Sequence, residues 1–177
     1  MLPSGRELIT SLHGLALGSV FLLSYAGGMA ELWSLRHDWV TTTGVRTHLR
    51  RLAVGTWVMA IAGWLTVLTG AYLVFPMYRA SAPPATADLS AYPKAFILAH
   101  PDLAMLQTIG MSWKEHIAWF APILATAVAF VVTRYGFHLV SQPRLRQGAM
   151  ALFTIAFLAA GIAGMFGAFL DKAAPVR

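Results

Sequence analysis

The chain has 177 residues, of which 58% are hydrophobic and only 11% are charged. So few charges cannot cover the surface of a soluble globule, and this composition indicates an integral membrane protein. Because the sequence contains no cysteine, it excludes disulfides, thiolate-ligated zinc, iron–sulfur clusters and covalently attached c-type haem. The net charge of +6 comes from basic residues beside apolar segments, a pattern typical of membrane topology and not of nucleic-acid binding.

Four apolar segments are long enough to cross a bilayer, which takes about 20 residues of helix. The predicted spans cover about residues 8–35, 52–78, 116–134 and 148–170. The first run follows Arg6 like a secretory signal, but it is too long for a signal core and is interpreted as a span. The sequence therefore predicts an all-α, integral membrane four-helix bundle, with residues 1–177 as a single transmembrane domain.

The connections between the spans differ in charge. The two short ones, residues 36–51 and 134–147, together hold seven Lys and Arg and only one acid. The opposite face holds six Lys and Arg interleaved with five acids. Because the positive-inside rule is counted over short loops, both termini and the long loop between spans 2 and 3 are predicted to be periplasmic. The predicted location is the bacterial inner membrane.

The long loop, residues 79–112, changes character along its length. It opens with Ser81-Ala82-Pro83-Pro84, a linker composition, whereas residues 96–98 and 103–106 are apolar. Pro101 and Asp102 read as the start of a helix, so one or two short helices are expected at the membrane surface or against the bundle. The apolar turns have no obvious core to enter within the chain, and exposed apolar surface marks interaction sites. We expect other subunits of a membrane redox complex to dock here.

Two histidines lie just inside predicted spans. An ionisable ring in a lipid-buried helix is costly and is a candidate functional group. His13 in span 1 and His116 in span 3 lie at similar depths on the same predicted side of the membrane. Two neutral imidazoles at one depth in a helix bundle can bind a haem iron from both faces. The prediction is one b-type haem with His13 and His116 as axial ligands.

Small residues lie at the same depth as the two histidines. Gly14 and Gly18 flank His13 at helical spacing, and such residues let a flat macrocycle or a neighbouring helix approach closely. The other spans contribute further glycines at this level: Gly70, Gly161, Gly164 and Gly167. Lys114 and Arg79, near the rim, are predicted partners of the haem propionates because a cation is cheaper there than at mid-membrane.

Other interpretations stay open from the sequence alone. Glycine-rich helices also pack without a cofactor, and an intramembrane histidine can instead bond a neighbouring hydroxyl such as that of Thr69. A cofactor-free structural or assembly subunit of a larger complex is therefore the alternative hypothesis. The Glu115-His116 pair can relay a proton in quinol chemistry, so quinone binding is a further hypothesis. A second haem between His37 and His138 is disfavoured.

The four spans and the placement of His13 and His116 resemble small four-helix membrane cytochrome b subunits. Proteins of that class hold haem between histidines of different helices and pass electrons between a quinone pool and a partner protein. The resemblance implies an electron-transfer subunit of a respiratory or photosynthetic oxidoreductase complex, without an open iron position for substrate chemistry. It implies no catalytic residue in this chain.

Overall fold

The computed structural model describes residues 4–36 and 44–174, and within this part the chain is helical with no strand. The helices are α1 (Gly5–Ser34), α2 (Gly44–Tyr78), α3 (Pro93–Ala99), α4 (Pro101–Ser141) and α5 (Pro143–Ala173). All but the short α3 are long and apolar enough to cross a membrane. The predicted class, a membrane protein built as an all-α bundle of four apolar helices, is confirmed.

The helices extend beyond the apolar segments that predicted them. α2 begins at Gly44, eight residues before the predicted start at 52, because an arginine-rich first stretch is helical without being apolar. α4 differs most, since helical turns begin at Pro101, well before the predicted start at His116. The long loop is therefore shorter than expected, and its last part forms the beginning of α4. Residues 37–43 of the first short loop, including His37, lie outside the described residues.

The four long helices pack as a ring. α1 contacts α2, α2 contacts α4, α4 contacts α5, and α5 closes the ring against α1. Consecutive antiparallel helices joined by short loops produce this order in a bundle. α1 and α4, which hold the two candidate histidines, are therefore the diagonal pair.

Polar groups close the helix ends. Ser4 Oγ accepts a hydrogen bond from the Glu7 N–H at 3.2 Å, and Glu7 Oε2 accepts one from the Ser4 N–H at 2.7 Å, forming a capping box. At the opposite end of the bundle, the Arg146 guanidinium donates to the carbonyls of Leu35 at 2.7 Å and Leu139 at 3.1 Å. Arg146 thereby satisfies carbonyls that the ends of α1 and α4 leave unpaired.

The main core combines small residues with a few large ones. Phe153 of α5 is fully buried, and a β-carbon on Gly28 of α1 would lie 2.8 Å from its ring. Next to it, the Tyr25 ring stacks on Phe157 at 4.1 Å between centroids and its hydroxyl lies 3.1 Å from Thr154 Oγ1. Close backbone approach at a small residue is how helices gain van der Waals contact in lipid.

A second core lies at the end of the bundle that holds α3, which we call the α3 end. Its buried residues are Tyr78, Ile97, Met111, Leu170 and Ala174. Phe96, Leu103 and Leu106 pack against this cluster. The expectation that these apolar turns lack a core within the chain is therefore wrong, because α3 folds back over the ends of α2 and α5.

α4 is irregular where it enters the bundle. Pro122 has no N–H with which to bond the Ala118 carbonyl, and that carbonyl instead accepts from Ala121 at 3.1 Å. The Ala118 N–H bonds the Trp113 carbonyl, five residues back, at 3.1 Å. The proline thus separates a regular helix from a wider stretch that contains the candidate residues Lys114 and His116.

Candidate functional site at the α3 end of the bundle

Wide π-helical turns are concentrated at the α3 end. Within the described chain they occupy Leu12–Leu17 of α1, Gly70–Val74 of α2, and Leu106–Met111 and Trp113–Ile117 of α4. Such turns are rare and are frequent at functional sites, because the extra residue redirects side chains. Two of them contain His13, Lys114 and His116, so this end of the bundle is the candidate site.

His13 is half-buried and packs against α2. Its Nδ1 lies 3.1 Å from Thr69 Oγ1, whose own proton goes to the Leu65 carbonyl at 2.7 Å. Thr69 therefore accepts and His13 Nδ1–H donates, which leaves a lone pair on Nε2 in the neutral ring. The ring lies directly over Gly70, where a β-carbon would be 2.7 Å from His13 Cε1. A glycine at that position is what lets the Cε1 edge of the imidazole approach α2 so closely.

Lys114 reaches from α4 to α5. It is half-buried, and a β-carbon on Gly167 would lie 2.7 Å from its Nζ. Its charge interacts with the carboxylate of Asp171 and with the imidazole of His13. Among residues 4–36 and 44–174 it has no hydrogen bond or ion pair within bonding distance. His13 packs on Gly70 of α2 and Lys114 on Gly167 of α5, and the ammonium keeps hydrogen-bonding capacity for a ligand.

His116 lies on a different side of α4. Its ring is exposed, and Nδ1 donates to the Ser112 carbonyl at 2.9 Å. Residues two positions apart do not share a helix face, and Lys114 is the residue that faces α5. In the part of the chain that the structure describes, His13 and His116 have no hydrogen bond or ring contact with each other.

The donor chemistry of both histidines suits a metal ligand. Metal-bound imidazoles usually donate their second N–H to a backbone carbonyl or another oxygen, which fixes the tautomer. His116 does so to Ser112 and His13 to Thr69, so each ring has Nε2 free to bind iron. The positions are less favourable, since the His13 ring packs against Gly70 of α2 whereas the His116 ring is exposed.

The remaining predicted site residues lie apart from this space. A β-carbon at Gly14, Gly18, Gly161 or Gly164 would have no neighbour within 4 Å, so these glycines face open surroundings. Arg79 is exposed at the end of α2, with its guanidinium 5.3 Å from the centroid of the Phe75 ring. Of the two predicted propionate partners, Lys114 is the one whose side chain packs between helices, against Gly167 of α5.

The sequence interpretation missed two partners. Asp171 lies four residues after Gly167, so one turn of α5 presents both the contact and the countercharge of Lys114. The sequence shows this spacing, but its role becomes clear only when α4 is placed beside α5.

At the opposite end of the bundle, Glu31 Oε2 and His48 Nδ1 are 2.6 Å apart, and this contact joins α1 to α2.

No cluster of three or more His, Asp or Glu side chains able to hold a metal occurs among the described residues. A haem iron needs only two protein ligands. The absence of a larger cluster among the described residues therefore does not test the haem hypothesis. Comparisons with protein families, with curated proteins and with solved structures find no match to this chain.

Proposed function

We propose that the chain is a membrane electron-transfer subunit that binds one b-type haem through His13 and His116. The observation that carries the proposal is the state of the two rings: each donates from Nδ1 to an oxygen and keeps Nε2 free. An imidazole arranged in this way is ready to bind iron. A haem with two imidazole ligands exchanges single electrons and has no open position for substrate.

The chain's own residues have distinct roles in this proposal. Thr69 orients His13, Gly70 makes room for its ring, and the Ser112 carbonyl orients His116. Lys114, whose side chain has no hydrogen bond or ion pair among the described residues, pairs with a haem propionate. Because His116 is exposed, binding of one haem by both histidines requires the outer turns of α4 to rotate. These turns are π-helical, a geometry that is frequent at functional sites.

The proposed electron donors and acceptors lie outside this chain. A haem near one membrane surface cannot pass electrons across a hydrocarbon core of about 30 Å, so a partner redox protein and the quinone pool complete the path. The exposed apolar side chains Leu98, Met105 and Ile109, at and next to α3, support docking of another subunit there. Direct quinone binding, with Glu115 and His116 as the proton relay, is an alternative use of His116, because an imidazole bound to iron through Nε2 cannot also relay a proton.

An absorption spectrum tests the haem proposal. The protein purified in mild detergent from native membranes should be red and show a reduced-minus-oxidised haem difference spectrum. His13→Ala and His116→Ala should each abolish or grossly alter it, because each removes one axial ligand. His100→Ala is the matched control, since His100 is exposed and its Nδ1 bonds the Phe96 carbonyl outside the site. Wild-type spectra from both ligand variants would refute the assignment.

The second candidate function is a cofactor-free structural or assembly subunit. It is favoured by the contact of His13 with Thr69 and Gly70, which is complete as helix packing without any ligand. It is also favoured by the outward position of His116. A colourless protein that copurifies with a larger membrane complex would support this candidate over the haem subunit.

The proposed orientation places both termini and the α3 end in the periplasm of a bacterial inner membrane. It rests on the seven Lys and Arg in the two short loops. Reporter fusions at Val45 and Ala85 should therefore report the cytoplasm and the periplasm respectively. A cytoplasmic signal from the Ala85 fusion would reverse the orientation without affecting the bundle.

A further inference from the structure

The end of the bundle opposite α3 has a basic groove on α2. It is an open depression of about 660 Å³ along one helix, lined by Arg46, Thr47, Arg50, Arg51, Val54 and Gly55. We call it the arginine groove. Its three arginines are exposed and lie within two turns of one helix, so their guanidinium groups can converge on one oxyanion. An arginine fork matches the geometry of phosphate oxygens and binds them by paired hydrogen bonds.

Within residues 4–36 and 44–174, no acidic side chain neutralises these charges. Among residues 4–36 and 44–174, no ion pair or hydrogen bond involves Arg46, Arg50 or Arg51. Glu31, an acid at this end of the bundle, is already bound to His48 at 2.6 Å. Three guanidinium groups beside one another repel, and a bound anion relieves that repulsion. The countercharge therefore has to come from outside the described chain.

The groove continues into an apolar strip along the same helix face. Val54, Val58, Ile61 and Leu65 follow Arg50 at three- and four-residue spacing, and all four are exposed. The strip runs about 17 Å along α2 at about 1.5 Å per residue, close to one leaflet of a bilayer core about 30 Å thick. A β-carbon on Gly55 would have no neighbour within 4 Å, so this glycine leaves a notch between the basic and apolar parts.

We propose that the arginine groove binds the phosphate headgroup of an anionic membrane lipid. Arg46, Arg50 and Arg51 contact the phosphate, with the Thr47 hydroxyl beside them, and one acyl chain lies in the Gly55 notch and along the apolar strip. A free phosphate would use only the upper half of this surface, whereas a lipid uses both halves. Basic pockets at the edge of spanning helices hold anionic headgroups in this way.

Lipid titration of the purified full chain tests the proposal. Binding of phosphatidylglycerol and of phosphatidylcholine with the same acyl chains is measured by native mass spectrometry. The double variant R46Q/R50Q should bind phosphatidylglycerol about tenfold more weakly than the wild type, because two phosphate contacts are lost. Arg144→Gln is the matched control: an exposed arginine at the same end of the bundle, outside the groove, whose loss should leave binding unchanged. Melting temperatures check that all variants fold.

Two further measurements distinguish binding of a lipid from binding of other anions. Gly55→Leu keeps every charge and adds a side chain where a β-carbon has no neighbour within 4 Å, so it should weaken phosphatidylglycerol binding severalfold. Millimolar inorganic phosphate should not displace the lipid. Equal binding of the two lipids, full binding by R46Q/R50Q, full binding by the Gly55→Leu variant, or displacement by phosphate would each overturn the proposal.

Discussion

Replacing Phe153 with alanine should destabilise the bundle by about 3 kcal/mol, the low end of the range for Phe→Ala in a core. Phe153 is fully buried where α5 meets α1, so the change leaves a cavity between helices. The low end applies because separated helices stay in lipid, and the transfer of apolar surface from water contributes little. Leu152→Ala is the control, since Leu152 is 37% exposed and should change stability by less than about 0.5 kcal/mol. Unfolding by SDS titration measures both.

The glycine opposite Phe153 gives an independent check of the same contact. Gly28→Ala places a methyl group 2.8 Å from the fully buried ring of Phe153. Overpacking of this kind should lower the free energy of unfolding by about 1–3 kcal/mol. Gly27→Ala, one residue away, adds its methyl group where nothing lies within 4 Å. A destabilised Gly28→Ala beside an unaffected Gly27→Ala locates the contact. Equal behaviour of the two variants would contradict the packing of α1 on α5.

The four membrane helices could be predicted from the sequence because hydropathy reports burial in lipid directly. Their ends could not, because helix continues into the headgroup region where composition is polar. The first turns of α2, around Arg46 and Arg50, show this, since arginine is a good helix former without being apolar. A helix start at Pro101 and Asp102 could also be predicted, but its continuation into the third span as one helix, α4, could not. Residues 101–112 become helical by packing on α5 and α3, contacts between distant segments that a local window does not register.

The candidate site was predictable in its members and not in its arrangement. His13 and Lys114 are recognisable because ionisable side chains in apolar runs are costly. The side of α4 on which His116 lies depends on the rotation of the helix about its axis. π-Helical turns change that rotation, and no residue type in the sequence marks where such turns occur. The pairing of Lys114 with Gly167 and Asp171 likewise depends on the relative height of two helices. Glycines at the right depth were numerous, but only Gly70 and Gly167 contact the proposed site residues closely.

Replacing Thr69 with valine should weaken haem retention about 10–100-fold, the usual effect of losing an oxygen that orients a ligating imidazole. Valine keeps the shape of threonine and removes the acceptor of His13 Nδ1–H, so the tautomer and ring angle are no longer held. Thr66→Val is the matched control, because the Thr66 hydroxyl donates to the Ala62 carbonyl at 2.7 Å and Thr66 interacts with His13 only through its backbone, which valine leaves in place.

Haem transfer to an excess of apomyoglobin, followed by absorption, measures the retention of both variants. Faster loss from Thr69→Val than from Thr66→Val, with equal stability of the two apoproteins, is the result expected of a positioning residue. Equal loss from both would mean that the His13 ring is held by packing on Gly70 alone. If Thr69→Val and the wild type release haem at the same rate, while His13→Ala binds no haem, then His13 is a ligand but the Thr69 hydroxyl does not orient it. If His13→Ala also retains haem, the iron is bound elsewhere, and the contact between His13 and Thr69 serves only to join α1 to α2.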